Sequence, residues 1–148
     1  MKLSIAQHLD RIGLASIVLA LALAASEVRA DVVAVVSSKS PISTLSKGQI
    51  TDIFLGRRTR FPDGTLAVPI DRSEGSALRD EFYSRIADMS PAQVKAFWSK
   101  IIFTGRGQPP IAVATSLETR RLLIANPNAI SYTDQSLVDS SLRIVIVR

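Results

Sequence analysis

After position 30 the sequence predicts an α/β domain, with helices packed on a small mixed sheet. Short continuous runs of β-branched residues alternate with segments whose apolar residues recur at helical spacing. Three of those segments open on a Ser or Thr followed three residues later by Gln or Glu, the capping-box pattern of a helix start. Turns carrying Gly and Pro separate them.

In chain order, "DVVAVVSS" reads as a buried strand. Ser46 with Gln49 then starts a helix on Ile50, Ile53 and Phe54, and Gly56 stands where that helix should stop. "FPDGT" reads as a turn. "LAVPI" is a second strand, which Pro69 restricts to an edge or a strand end. A helix striped by Leu78, Phe82 and Ile86 follows. The next has the clearest start in the chain, with Ser90 as cap, Pro91 as first residue and Gln93 as box partner. Its stripe is Val94, Phe97, Trp98 and Ile101, and "TGRGQPP" ends it. Trp98 and Tyr132 read as core, and the indole N–H then needs a partner. Thr115 and Glu118 form another capping box, whose helix stops near "NPN". "AISYT" and "LRIVIV" are the last two strands.

Residues 1–30 read as a secretory signal peptide and 31–148 as the domain. Lys2 and Arg11 precede an apolar run from Gly13 to Ala25, and Val28 and Ala30 stand three and one positions before the expected cut. The run is short for a membrane span of about 20 residues, although an uncleaved anchor is the alternative. Cleavage would take Lys2, Arg11 and Arg29 with Asp10 and Glu27. The 18 basic and 13 acidic side chains then become 15 and 11, a formal +4. His8 would leave too, so a chain starting at Asp31 has neither histidine nor cysteine. That composition excludes Cys or His nucleophiles, a Ser-His-Asp triad, disulfides and a zinc site of the usual kind. No enzyme, metal or cofactor is expected. Nucleic-acid binding calls for a basic run with interleaved aromatics. The densest basic run, "GRRTR" at 56–60, has only Phe61 beside it and reads as a solvated turn.

One segment suggests an anion site. In "DRSEGSALRDEF", Arg72 on a turn precedes Gly75 and then Ser76 at a helix start. A helix N-terminus offers unpaired N–H groups and a positive dipole end, here those of Ala77 and Leu78. Gly75 would let a ligand approach, Ser76 would add a hydroxyl, and the planar guanidinium suits a tetrahedral oxyanion. The plain alternative is that Ser76 only caps its helix and Arg72 only pairs with Asp71 or Glu74. Two further candidates are weaker. Ser37, Ser38 and Ser40 follow the first strand, where α/β folds place ligand groups. "TGRGQ" sets Arg106 between glycines, as a second anion loop or simply a helix stop, and it lacks a Walker ending.

From residue 31 onward the chain resembles the substrate-binding proteins of phosphate ABC transporters, especially their shorter phosphate-binding-protein-like relatives. The stretches that carry the likeness are "LSKGQITDIFLGRRTRF", "DRSEGSALRDEF", "FWSKIIFTGRGQPP" and "NPNAISY". The resemblance implies a single lobe of a type 2 periplasmic-binding fold. It places the family's phosphate-contacting arginine on Arg72 and its serine on Ser76. Ala77 stands for the family's glycine, Leu78 for its threonine and Glu74 for its aspartate. Ala129 and Ser131 replace glycines around Ile130. Two-lobed relatives close a second lobe over the ligand, and that lobe supplies further donors and an aspartate that disfavours sulfate.

The expected function is therefore an exported, periplasmic module binding phosphate or a similar oxyanion. Its ligand-binding residues would be Arg72, Gly75, Ser76, Ala77, Leu78 and Ser38, and its partner an inner-membrane transporter or sensor. The alternative is an interaction domain of the same fold that has lost its ligand and docks to such a protein. A homodimer, each copy replacing the other's absent lobe, is a third reading.

Overall fold

The computed structural model describes residues 31–147. The signal-peptide reading of 1–30 lies outside them. Strand β1 (Val32–Ser37) is followed by β2 (Thr44–Leu45), helix α1 (Lys47–Phe54), β3 (Val68–Arg72), α2 (Ala77–Ala87) and α3 (Pro91–Phe103). Then come β4 (Ile111–Val113), α4 (Ser116–Ala125), β5 (Ala129–Asp134), a 3-10 turn at Gln135–Leu137, β6 (Leu142–Ile144) and β7 (Ile146–Val147). Four helices thus pack on a five-stranded mixed sheet of order β4-β3-β5-β1-β6, with β2 and β7 forming a separate parallel pair.

β1 is apolar throughout because both of its faces are covered. Val32, Ala34 and Val36 point into a core built with Ile53, Phe54, Phe82, Val94, Trp98 and Tyr132 of α1–α3 and β5. Val35 points the other way, to Ile70, Val113, Leu123 and Leu142, where α4 packs. A strand buried on two sides loses the usual apolar–polar alternation. Phe82 stacks on Tyr132 at 3.9 Å between ring centroids, and Phe54 and Phe82 pack edge-to-face with centroids 4.7 Å apart.

Helices on opposite faces follow from the connections. β3 runs parallel to both β4 and β5. The path from β3 to β4 passes through α2 and α3, and the return from β4 to β5 passes through α4. Crossovers of one hand, leaving in opposite directions, must use opposite faces. The C-terminal ends of β3 and β4 therefore lie where adjacent strands feed helices on different sides of the sheet, the usual place for a ligand crevice.

Several expectations shift in detail. The second strand lies two residues later than "LAVPI", so Arg72 ends β3 instead of sitting on a turn. β3 is an interior strand despite Pro69; β4 pairs only from Ile70 onward, so the missing N–H falls before that ladder begins. "LRIVIV" is two strands, because the N–H of Val145 turns to the carbonyl of Ala34 at 2.8 Å and β7 then pairs with β2. β2 and β4 themselves are too short to register as periodic patterns. Capping boxes close α1 and α3 as expected. At α4 only half of one forms: Thr115 accepts from Glu118 N–H, while the Glu118 carboxylate accepts from Ala114 at 3.3 Å. Trp98 is core, and its indole nitrogen has no hydrogen-bond partner among the described residues.

Candidate functional site

Arg72 reaches the crevice because β3 ends on it. Its guanidinium donates through one terminal nitrogen to Ser116 Oγ and through the other to the Ala114 carbonyl, both at 2.9 Å. Its Nε is buried with no partner among the described residues. These contacts come from the start of α4, which the pairing of Arg72 with Val113 brings alongside. Neither acidic neighbour takes the charge. Glu74 pairs with Lys95 at 2.9 Å, and that cation holds its carboxyl below the usual carboxylate range. Asp71 is bound to Arg79 at 3.1 Å. Arg72 is thus held by neutral oxygens at the start of α4 and has no ion pair among the described residues.

Asp71 accounts for that arrangement. Only 3 % exposed, it accepts from the Arg72 N–H (2.8 Å), Arg79 Nε (3.1 Å), the Tyr83 hydroxyl (2.9 Å) and the Tyr132 hydroxyl. Four donors fill a carboxylate's main acceptor directions, so nothing is left to neutralise Arg72. Burial, reinforced by the Asp71 charge, pushes both phenols well above the ordinary tyrosine range, which keeps them protonated as donors. The cluster ties β3, β5 and α2 together next to Arg72, where a cup for an anion would lie between β3 and the start of α2.

Above it, Ser76 occupies the N-cap of α2 in extended conformation (φ −72°, ψ 123°), but its side chain makes no capping bond. Its N–H goes to the Ser73 carbonyl and its carbonyl accepts from Asp80. The first-turn N–H groups of Ala77 and Leu78 precede the intrahelical ladder. Gly75 has φ +86°, which explains glycine there, and a Cβ on it would meet nothing within 4 Å. Conformation, more than clearance, sets this residue. Leu78 turns its side chain onto the core, so only its backbone faces the helix start. One flank of Arg72 borders a cleft of about 280 Å³ that also touches Glu74, Arg79, Lys95 and Ser99.

The structure brings Arg72, Gly75, Ser76, Ala77 and Leu78 to one end of β3. Ser38 does not join them. β1 is antiparallel to β5, which parallels β3, so Ser38 follows β1 at the opposite end of the sheet. There its carbonyl accepts from Arg143 at 2.9 Å, while Ser37 and Ser40 accept from backbone N–H groups two residues on. Tyr132 and Ser116 were not legible as site residues, since they meet Asp71 and Arg72 only through strand pairing across 40 residues or more, while Tyr83 reaches Asp71 from α2, 12 residues on.

No family model and no curated protein matches the chain. Solved structures do. A phosphate ABC transporter substrate-binding protein from Clostridium perfringens, with bound phosphate, superposes with TM-score 0.63 at 23 % identity, covering 78 % of this chain and 44 % of that one. An ABC-type phosphate transport receptor from Vibrio cholerae gives 0.61 at 18 %, covering 78 % and 45 %. PstS from Borrelia burgdorferi gives 0.55 at 15 %, covering 79 % and 47 %. The chain spans less than half the length of each, and over that span it has the fold of the phosphate-transporter substrate-binding proteins.

Proposed function

We propose that the protein is an exported, periplasmic solute-binding module for phosphate or a similar oxyanion, working with an inner-membrane transporter. The observation that carries this reading is an Arg72 guanidinium with no ion pair among the described residues, on the strand that leads into a helix start whose serine makes no capping bond. Asp71 and Glu74 flank it in sequence, yet both are committed to other cations. Arg72 supplies charge and planar donors, Ser76 a hydroxyl, and Ala77 and Leu78 their N–H groups, while Gly75 gives the positive φ that turns the chain into α2. The fold likeness to a protein solved with phosphate bound supports the ligand class. Binding involves no chemical step. Exposed donors such as these keep water near the charges, so the affinity expected of this domain alone is modest.

Calorimetric titration of phosphate, then sulfate, into the protein and its Arg72→Ala variant tests this. Phosphate heat in the parent that weakens at least about tenfold in the variant is the expected result, a loss of about 1.4 kcal/mol or more. No heat at millimolar phosphate from folded protein would overturn the reading and leave an interaction domain in its place. A mass that doubles only with phosphate would show two copies completing one site.

A further inference from the structure

A second cleft, which Arg72 does not line, adjoins the one beside Arg72 across Trp98, Pro109 and Pro110. It measures about 530 Å³ and runs between the loop after α1, the start of β3, one face of α3 and the segment before β4. Its floor is apolar, formed by Ile53, Ala67, Pro69, Phe97, Trp98 and Ile101. Arg57, Arg58 and Arg106 line it as well, and no carboxylate does.

Two segments that look unrelated in sequence build this charge in the same way. At the end of α1, Gly56 (φ +68°) donates to the Ile53 carbonyl and Arg57 N–H to that of Asp52. At the end of α3, Gly105 (φ +65°) donates to Ile102 and Arg106 N–H to Ile101. Both are Schellman stops, and each places an arginine two positions beyond the helix cap. "GRRTR" is an exposed turn, as read, that also lines the cleft, and "TGRGQ", which does end its helix, lines the same cleft. The guanidinium of Arg57 lies over Phe97 at 5.6 Å and pairs with Asp52 at 3.7 Å. Arg58 and Arg106 have no ion pair among the described residues.

We propose that this cleft is a second binding site, for a small amphipathic carboxylate whose apolar body lies on Phe97, Ile101 and Ala67 and whose anionic head meets Arg58 and Arg106. The volume lies within the range of small-molecule sites, and a few convergent polar groups on an apolar floor are their usual composition. Inorganic phosphate does not suit it, because a fully hydrated anion gains nothing from the apolar floor.

Trp98, the chain's single tryptophan, lines this cleft and also the smaller one beside Arg72, so its signal is assigned by the phosphate arm and the arginine variant. The experiment titrates octanoate into the protein while following Trp98 fluorescence, beside octanol, inorganic phosphate and an Arg58→Glu/Arg106→Glu variant. Both substituted arginines are exposed, and unchanged far-ultraviolet circular dichroism confirms that the variant folds. The expected result is a saturable change with octanoate that weakens at least about tenfold in the variant. Octanol should bind more weakly than octanoate, and phosphate should not displace it. No saturable change in the low millimolar range, equal affinity for octanol, or an unaffected variant would each overturn the proposal. Displacement by phosphate would do so too, by assigning octanoate to the Arg72 cup.

Discussion

Helices α2 and α3 begin with a serine in the same place, and the two serines do different things. Ser90 (φ −73°, ψ 162°) and Ser76 (φ −72°, ψ 123°) are both extended N-caps. Ser90 accepts from Gln93 N–H, and the Gln93 side chain returns the bond, so α3 is closed at its start. Three residues after Ser76 stands Arg79, a cation that cannot return such a bond, and Asp71 draws its side chain into the interior. Serine at a cap position therefore does not by itself say whether its hydroxyl serves the helix. The side chain three residues on decides whether the box can close, and at α2 it has been taken by the buried cluster.

The largest effect that could break this comparison is at Asp71. Replacing it with alanine leaves Arg79 as an unpaired, nearly buried charge and two phenols without their acceptor. Breaking a buried pair in this way costs roughly 3–5 kcal/mol. Chemical denaturation of Asp71→Ala should show a loss of that order, with phosphate binding lost at the same time. A loss below about 1 kcal/mol would mean that the cluster is not what holds α2 open, and the contrast between the two helix starts would need another cause.

The closed start should respond at a smaller scale. Ser90→Ala removes one capping bond and frees its box partner, for which about 1 kcal/mol is usual. The midpoint of urea unfolding should fall with the slope unchanged. Ser46→Ala in α1, which closes by the same box, should behave alike, since the hydrogen-bond pattern there is the same.

Local chemistry made much of this fold legible. The starts of α1 and α3, the glycine stops after them and the apolar run of β1 are all signals spanning only a few residues. What sequence concealed was the meeting of distant segments. Arg72 could be read as a lone cation or as a partner of Asp71 or Glu74. Its actual neighbours, Ala114 and Ser116, lie at the start of α4, which a three-residue strand with no visible period brings alongside. Tyr132 reads as core and is core, but its hydroxyl contributes to the site only because β5 lies beside β3. Ser38 looked well placed by its position after a strand, and the antiparallel direction of β1 sends it to the wrong end. Strand direction is a property of the whole sheet, and no short motif carries it.

The smallest expected effect is the most discriminating. Ser76→Ala removes a hydroxyl that makes no bond to its own helix, so the change in stability should stay below about 0.5 kcal/mol, the scale of an ordinary surface substitution. If the hydroxyl is held open for an anion, the same variant should bind phosphate several-fold more weakly, the equivalent of about one hydrogen bond. The two readouts separate the two possible roles of the residue. A stability loss near that of Ser90→Ala would show that Ser76 caps α2 in solution after all. Unchanged stability with unchanged phosphate affinity would leave Arg72 and the N–H groups of Ala77 and Leu78 as the whole cup. Only stability preserved and affinity reduced fits a helix start whose donor is reserved for a ligand.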